Sequence, residues 1–364
     1  MPGDADPSLG SKRNKVLMKR AYFIFFLLLA ILVAGCSKVE YTQTPPSVGD
    51  SDWLYDASLP VPILFGSDNK LTRSTISAVD DLTGQKIGVY AVDKDADVWS
   101  HNDESIYINN ADAFYDSSAQ TIAFGTSPEN LQTYYYPALS AVSLDFYAYC
   151  ADGAYDFKVQ DNEVTVVVPF GQNDIIWAYA SAEEKVKNYT IYHGYNAEYI
   201  RTFPEEKPEF AFSHPATALR FRAMNADPLS GTNIRIENVY LSGVALNGTL
   251  VIAERGEPKE YQGQLRFVDG VNSRGILQLK PEDVGIVLTE EKVMLGHIFI
   301  LPEPELDQIV GKAKITIDGQ SKEADLKINP QQLGAVVNGF VSGYSYNLML
   351  CVYDDGTVEV LPDI

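Results

Sequence analysis

The sequence of 364 residues has little of what most catalytic and metal sites are built from. It contains four histidines, three cysteines and three tryptophans. It has 28 lysines and arginines and 49 aspartates and glutamates, which gives a formal net charge of -21. Binding to nucleic acid needs clustered positive charge, so this composition excludes that class of partner. An acidic balance bears on solubility and on the choice of partner rather than on the fold.

Motifs of catalysis are also missing. His101, His193, His214 and His297 lie far apart and show no HExxH spacing. There is no GxSxG elbow, Walker loop or dinucleotide fingerprint. Carboxylates are too abundant to single out one pair as a glycosidase acid and base. We therefore expect a protein that is not an enzyme and has no cofactor or metal ion, with a secreted hydrolase as an alternative.

One stretch approaches a calcium motif. In "DKDADVWSHNDE", Asp93, Asp95, Asp97 and Glu104 take positions 1, 3, 5 and 12 of an EF-hand loop. Position 6 requires the glycine that permits the sharp turn, and here it is Val98. We interpret the stretch as a solvated acidic loop.

The longest apolar run is too short to cross a membrane. It holds 14 uncharged residues, Ala21 to Ala34, where a spanning helix needs about 20. Two basic residues precede it, as in a signal peptide whose start is Met18. The run closes on "LVAGC", which resembles a bacterial lipobox. We predict a leader over residues 1–35 and a lipid on Cys36, although an ordinary signal peptide with a chance cysteine remains an alternative.

The rest of the chain has the pattern of an all-β protein. Residues 36–58 suggest a tether, and apolar segments of five to nine residues separated by turn residues follow. Examples begin at residues 86, 121, 142, 163 and 174. No stretch beyond the leader sustains a long helical period. We predict two tandem antiparallel β-sandwich domains with few short helices, over residues 59–208 and 209–364, joined at the acidic, proline-containing segment near Pro208.

Local patterns refine the β interpretation. In "ATALRFRAMNAD", apolar residues alternate with Arg220 and Arg222, as in a strand with one wet face. The alternation on both sides of Asp318-Gly319 predicts a hairpin. Within "NIRIENVYLSGV", the apolar residues change from even-numbered to odd-numbered positions, which predicts a β-bulge or break near Asn238.

Two cysteines lie beyond the leader, Cys150 and Cys351. An oxidising envelope compartment would let them pair. No spacing signature supports a disulfide, so we expect two separate buried thiols that act as small apolar side chains.

A candidate processing site lies in "SDNKLTRSTISAVDDLTGQ", residues 67–85. Lys70 and Arg73 are the basic residues in a long polar stretch, which should be exposed and open to proteolysis. Taken alone, Arg73 is better explained as a solvated loop residue than as a processing site.

The order of several short motifs resembles the fimbrillin family, the lipoprotein-derived type V pilins of Bacteroidales. The motifs are the lipobox, an apolar strand at 61–65, "LTR" at 71–73 and "IGVYA" at 87–91. They continue with "YYYP" at 134–137, "LDFYAY" at 144–149, "FAFSHPATALRFR" at 210–222, "NVYLSGV" at 238–244 and "GYSYNLML" at 343–350. The resemblance implies transthyretin-like sandwiches and a lipoprotein of the cell outer membrane and the fimbrium, carrying palmitate on Cys36.

The resemblance also implies a mechanism of assembly. A trypsin-like protease would cut between Arg73 and Ser74, and the lost part would include a removable first strand at residues 59–73. A neighbouring pilin subunit would fill the emptied groove by strand addition. Members that polymerise donate a C-terminal segment, for which residues 357–361 are the candidate. The pattern leaves open a tip or accessory subunit, a stalk subunit and an uncut lipidated anchor.

Two further questions concern the ligand. A surface glycan-binding lipoprotein is the main rival, with "QTYYYPA" at 132–138 or Trp99 as an aromatic platform for sugar. A host or bacterial surface receptor is a further candidate partner, and no residue identifies it.

Overall fold

The computed structural model describes residues 52–66, 82–100, 105–138, 142–186, 189–256, 262–268, 270, 273–279, 285–333 and 339–363. The predicted leader, the lipidation site Cys36 and the processing residues Arg73 and Ser74 lie outside the described residues. The described residues all belong to one unit, Val48–Ile364.

Strands make up most of the described chain. Two short α-helices are present, α1 (Asp52–Tyr55) and α2 (Ala197–Thr202), with a 3₁₀ turn at Pro228–Ser230. In chain order the strands are β1 (Ile87–Asp93), β2 (Ile106–Asp116), β3 (Thr121–Ser127), β4 (Asn130–Leu131), β5 (Leu144–Ala151), β6 (Tyr155–Gln160), β7 (Glu163–Pro169), β8 (Ile175–Ala180), β9 (Glu183–Val186), β10 (Tyr189–Tyr192), β11 (Ala211–Ser213), β12 (Thr217–Asn225), β13 (Ile234–Ala245), β14 (Asn247–Glu254), β15 (Leu265–Phe267), β16 (Arg274–Leu279), β17 (Ile286–Val287), β18 (Val293–Ile300), β19 (Ile309–Ile317), β20 (Gln320–Ile328), β21 (Ser345–Val352) and β22 (Val358–Pro362). The predicted all-β class with few short helices is confirmed.

The strands form several sheets. A seven-stranded sheet has the order β11-β8-β5-β1-β2-β3-β4, and β9 pairs with β10. The other sheets have the orders β18-β12-β21-β22, β16-β13-β19-β20 with β17 beside β13, and β15-β14-β7-β6. Neighbouring strands pair antiparallel except β12 and β21, which are parallel. The structure therefore has the several antiparallel sheets of an all-β sandwich fold.

The central strands β1 and β5 of the seven-stranded sheet are buried on both faces. In β1, Ile87, Val89 and Ala91 point into an N-terminal core, while Tyr90 and Val92 point into a second, larger core. Successive side chains of a strand face opposite sides of the sheet, so a strand covered on both sides becomes continuously apolar. The sequence "IGVYAV" has this composition.

The predicted turn and bulge are both confirmed. Strands β19 and β20 join through Asp318 and Gly319, whose φ angles of 47° and 82° suit a two-residue hairpin turn. The pairing of β13 with β19 shifts register between Ile236 and Asn238. The extra residue returns the apolar side chains to the core, as the change of parity required.

The predicted alternation in β12 and the predicted state of the thiols are confirmed as well. Leu219, Phe221 and Ala223 are buried, whereas Arg222 on the other face is exposed. Cys150 and Cys351 are separate, buried free thiols.

The division into two domains at residue 208 stays a prediction. Backbone pairing crosses that position between β11 and β8, between β14 and β7, and between Gly171 and Phe299. Among the described residues, none of the helices is both long and apolar enough to cross a membrane.

Candidate functional site

The candidate site is the groove that holds the N-terminal segment. We define the N-terminal segment as residues 60–66 and call this groove its seat. Val61, Ile63 and Phe65 are only 1%, 3% and 6% exposed, whereas Leu64 between them is 45% exposed. This alternation is that of a strand with one face in a core. The predicted short apolar strand is therefore placed inside the N-terminal core.

Few backbone hydrogen bonds hold the middle of this segment. The Ile63 N–H donates to the Tyr134 carbonyl at 2.8 Å, and the Tyr136 N–H donates to the Val61 carbonyl at 2.9 Å. Between these bonds, Pro62 forms an isolated antiparallel bridge with Tyr135. Proline has no N–H, and at this position the pairing requires none.

The end of the segment is tied to two other parts of the chain. The Gly66 N–H donates to the Pro208 carbonyl at 2.9 Å. The Thr121 hydroxyl, at the start of β3, lies 2.9 Å from the Phe65 carbonyl oxygen and 3.1 Å from that of Gly66. These contacts hold the residues that immediately precede the predicted processing stretch.

Phe65 is the main apolar anchor. Its ring centroid lies 4.8 Å from that of Phe210, 5.2 Å from that of Phe124 and 5.6 Å, edge-on, from that of Phe146. Aromatic side chains contribute the largest buried areas and favour such tilted contacts. Burial of Phe65 with Val61 and Ile63 stabilises the seated arrangement by roughly 4.5–9 kcal/mol, at about 1.5–3 kcal/mol for each side chain.

Arg201 holds the chain that leads into the segment. It lies in α2, which begins at Asn196, whose side chain accepts a hydrogen bond from the Tyr199 N–H at 2.8 Å. The Arg201 guanidinium donates to the carbonyls of Trp53 at 3.1 Å and Leu59 at 2.5 Å. One side chain thus satisfies carbonyls at both ends of residues 53–59.

The surroundings of the segment are mostly apolar, with the Glu209 side chain beside Gly66 at its end. Tyr136 is 4% exposed, and its hydroxyl has no hydrogen-bond partner among the described residues. Burial, with a smaller effect of Tyr195, raises the pKa of Tyr136 well above its usual range. The seat is therefore a mostly apolar groove suited to binding a strand.

The predicted processing stretch connects two anchored points. Residues 67–81, which include Arg73 and Ser74, lie outside the described residues. On one side is Gly66, and on the other is Leu82, which is 1% exposed within the N-terminal core. The sequence did not indicate Arg201 or Thr121, because their contacts with the segment join residues distant in the chain.

Two of the aromatic residues predicted to bind sugar are buried in the structure. Trp99 is 3% exposed, and its indole N–H donates to the Asp93 carbonyl at 3.1 Å. Tyr136 is buried, and the Tyr134 ring packs 4.6 Å from that of Phe124. The prediction that Trp99 presents an open aromatic platform is wrong, because its ring is buried in the packing of the protein. Tyr134 and Tyr135 are half-buried, so a platform within residues 132–138 stays a prediction.

The predicted acidic loop is described only as far as residue 100, and Glu104 lies outside the described residues. The Asp95 N–H donates to the Asp93 carboxylate at 3.0 Å, and no group of metal ligands is present in the part of the chain that the structure describes. Residues 358–362 form β22, an edge strand paired with β21 over five positions.

Comparison with known proteins relates the fold to solved structures. By sequence, the chain matches no protein-family model and no curated protein. By structure, it resembles a candidate cell adhesion protein from Bacteroides uniformis, with a TM-score of 0.50 and 17% identity over 84% of this chain and 97% of that chain. The two proteins share a fold.

Two other solved structures are more distant. A candidate cell adhesion protein from Bacteroides ovatus has a TM-score of 0.44 and 14% identity, covering 84% of this chain and 96% of that chain. A fimbrial protein from Bacteroides ovatus has a TM-score of 0.27 and 12% identity, covering 84% of this chain and 51% of that chain. These names describe adhesion and fimbrial proteins rather than enzymes.

Proposed function

We propose that the protein is a structural and adhesive subunit of a surface fimbria. It is exported as a lipoprotein with the lipid on Cys36, and a protease then cuts after Arg73. The observation that carries the proposal is the seat of the N-terminal segment, an apolar groove filled by residues that precede the predicted cut. Cell adhesion, the role named for the Bacteroides uniformis protein of the same fold, is carried over to this chain within this proposal.

Removal of residues 36–73 would open the groove. It would expose the apolar side chains around Phe65 and free the backbone groups of Tyr134 and Tyr136 that bond to the segment. An exposed apolar groove with unpaired backbone groups is a template for strand addition. A strand from a neighbouring subunit, inserted head to tail, continues such contacts into a filament, as a tip, accessory or stalk subunit requires.

The test is the N-terminus of the mature protein recovered from the cell surface, identified by mass spectrometry. We expect a start at Ser74. The Arg73→Ala variant should keep the longer form and stay out of filaments, whereas Lys70→Ala, the matched change nearby, should be processed normally. A lipid on Cys36 together with an intact Arg73 would contradict processing and indicate an uncut anchor subunit.

A second experiment tests the groove itself. The full-length protein is cut by trypsin and incubated with a labelled peptide of the sequence LPVPILFG. We expect stable incorporation of the peptide after the cut and none before it. A peptide with aspartate at the positions of Val61, Ile63 and Phe65 is the control. Equal binding of the two peptides would contradict a groove that selects apolar side chains at alternate positions.

A further inference from the structure

A polar cleft lies apart from the N-terminal segment. Its volume is about 700 Å³, within the usual range for small-molecule sites of about 300–1,000 Å³. One wall comes from the ends of β5 and β8 and the stretch between β7 and β8. The other comes from β12 and β18.

The two walls are held together by the backbone. The Gly171 N–H donates to the Phe299 carbonyl at 3.1 Å, and the Phe299 N–H donates to the Gly171 carbonyl at 2.6 Å. Gly171 has a φ of 145°, a conformation that favours glycine. This bridge fixes the start of the stretch that carries the polar residues 172–174.

The first wall is acidic. The Asp174 carboxylate lies 2.5 Å from Nδ1 of the buried His214, and Asp152 accepts a hydrogen bond from the Asn173 amide at 3.0 Å. Burial raises the pKa of the neighbouring Cys150 thiol to about 12, and the charges of Asp174 and Asp152 add to the effect. Both carboxylates are held in place and keep further lone pairs for a ligand.

The second wall carries a cation. Arg220 lies on the outer face of β12, in register with His297 of β18, and it is half-buried. Its guanidinium has no hydrogen bond or ion pair with any described residue, unlike Arg222 two positions along, which pairs with Asp363 at 3.0 Å. Among the described residues, its five N–H donors therefore have no acceptor, although the chain has a large excess of acids.

We propose that this cleft binds a neutral saccharide. A ligand carboxylate would suit Arg220 but would be repelled by Asp152 and Asp174, and a ligand ammonium would meet the opposite conflict. A hydroxyl group donates to carboxylates and also accepts from a guanidinium, so a compound with several hydroxyls satisfies both walls at once. The side-chain amides of Gln85 and Gln172 in the same lining add donors and acceptors that suit hydroxyls.

The site does not depend on strand addition. The cleft shares no residue with the N-terminal segment, so the proposal holds whether or not the chain is cut after Arg73. It also differs from an aromatic platform, because its contacts are hydrogen bonds from fixed polar groups.

The test is the binding of small sugars to the purified full-length protein. D-galactose, D-glucose, D-mannose and L-fucose are titrated by calorimetry and by saturation-transfer NMR, with glucuronate and glucosamine as charged counterparts. We expect at least one neutral sugar to bind, and to bind at least about threefold more tightly than either charged sugar. The absence of binding by all four neutral sugars, or tighter binding of a charged one, would overturn the proposal.

Variants assign the binding to this cleft. Arg220→Gln should weaken it at least about tenfold, because hydrogen bonds from a charged donor are lost. Arg222→Gln, which removes the same charge from the same face of β12, should change the affinity less than twofold. Equal affinities of the Arg220→Gln variant and the unaltered protein would also overturn the proposal. Thermal unfolding of both variants confirms that each is folded.

Discussion

The N-terminal segment and β22 both lie beside a sheet, and different forces hold them. Four side chains of the segment, including that of Pro62, are less than a tenth exposed, while a single bridge joins its backbone to residues 134–136. Strand β22 pairs with β21 at five positions, yet only Val358 reaches the same degree of burial and Leu361 is 37% exposed. Side chains hold the first, and the backbone ladder holds the second.

In both segments, proline occupies a position where no backbone N–H is needed. Pro62 lies between the two hydrogen bonds of the segment, where no donor is needed. In β22, the bond from the Asp363 N–H to the Asn347 carbonyl fixes the alternation, so the N–H of Leu361 faces β21 and position 362 faces outward. Pro362 thus occupies a position of an edge strand where proline costs no ladder bond.

This contrast indicates which properties another strand would need in order to take the place of each segment. Apolar burial is not directional, so any strand with apolar residues at alternate positions could fill the N-terminal groove. A ladder requires a continuous run of N–H and carbonyl groups in register.

The largest effect should come from the anchor of the N-terminal segment. Phe65→Ala removes the ring packed among Phe124, Phe146 and Phe210, and we expect the free energy of unfolding to fall by about 3–5 kcal/mol. Urea denaturation measures it. Leu64→Ala, at the exposed neighbour, should cost less than about 0.5 kcal/mol. Equal losses in the two variants would mean that side-chain burial does not hold the segment.

A smaller effect should follow from breaking the ladder of β22. Leu361→Pro removes the N–H that faces Met349, and we expect a loss of about 1–2 kcal/mol in the same denaturation experiment. Leu361→Val keeps both the N–H and an apolar side chain, so it should stay within about 0.5 kcal/mol of the unaltered protein. If the valine variant lost as much as the proline variant, the side chain rather than the backbone would hold β22.

The smallest effect should be a local one at Arg201. Arg201→Gln loses charged donors to the carbonyls of Trp53 and Leu59, and we expect a loss of about 1 kcal/mol. Hydrogen exchange of the Ile63 amide should become roughly fivefold faster, while exchange in β13 stays unchanged. Arg201→Lys keeps the charge but lacks the planar guanidinium, so it should recover part of the protection of the Ile63 amide from exchange. Unchanged exchange at Ile63 would show that Arg201 does not secure the segment.

Much of the fold followed from local patterns. The hairpin at Asp318-Gly319 was predictable because its turn chemistry and flanking alternation are both contained in a few consecutive residues. The bulge near Asn238 was predictable because a strand with one buried face can change parity and stay buried only by gaining an extra residue or by breaking.

Other features were out of reach of such patterns. The parallel pairing of β12 with β21 joins strands more than 100 residues apart, and nothing within either strand states its partner. Trp99 illustrates the same limit, since an aromatic residue in an acidic stretch has the same composition whether it is exposed or buried. Arg220 and Arg222 look equivalent in sequence, and only the structure shows that Arg222 pairs with Asp363 while Arg220 has no partner among the described residues.

The sequence by itself determined the all-β class, the alternation of buried and exposed positions, the turn at Asp318-Gly319 and the apolar character of residues 61–65. These properties depend on the period of a strand and on the conformations that individual residues permit. Only the tertiary structure decided that residues 61–65 lie in a groove lined by Phe124, Phe146 and Phe210, and that Asp152, Asp174 and Arg220 face one cleft. Such contacts join distant parts of the chain, and their free energy depends on the packing of the whole protein rather than on local sequence.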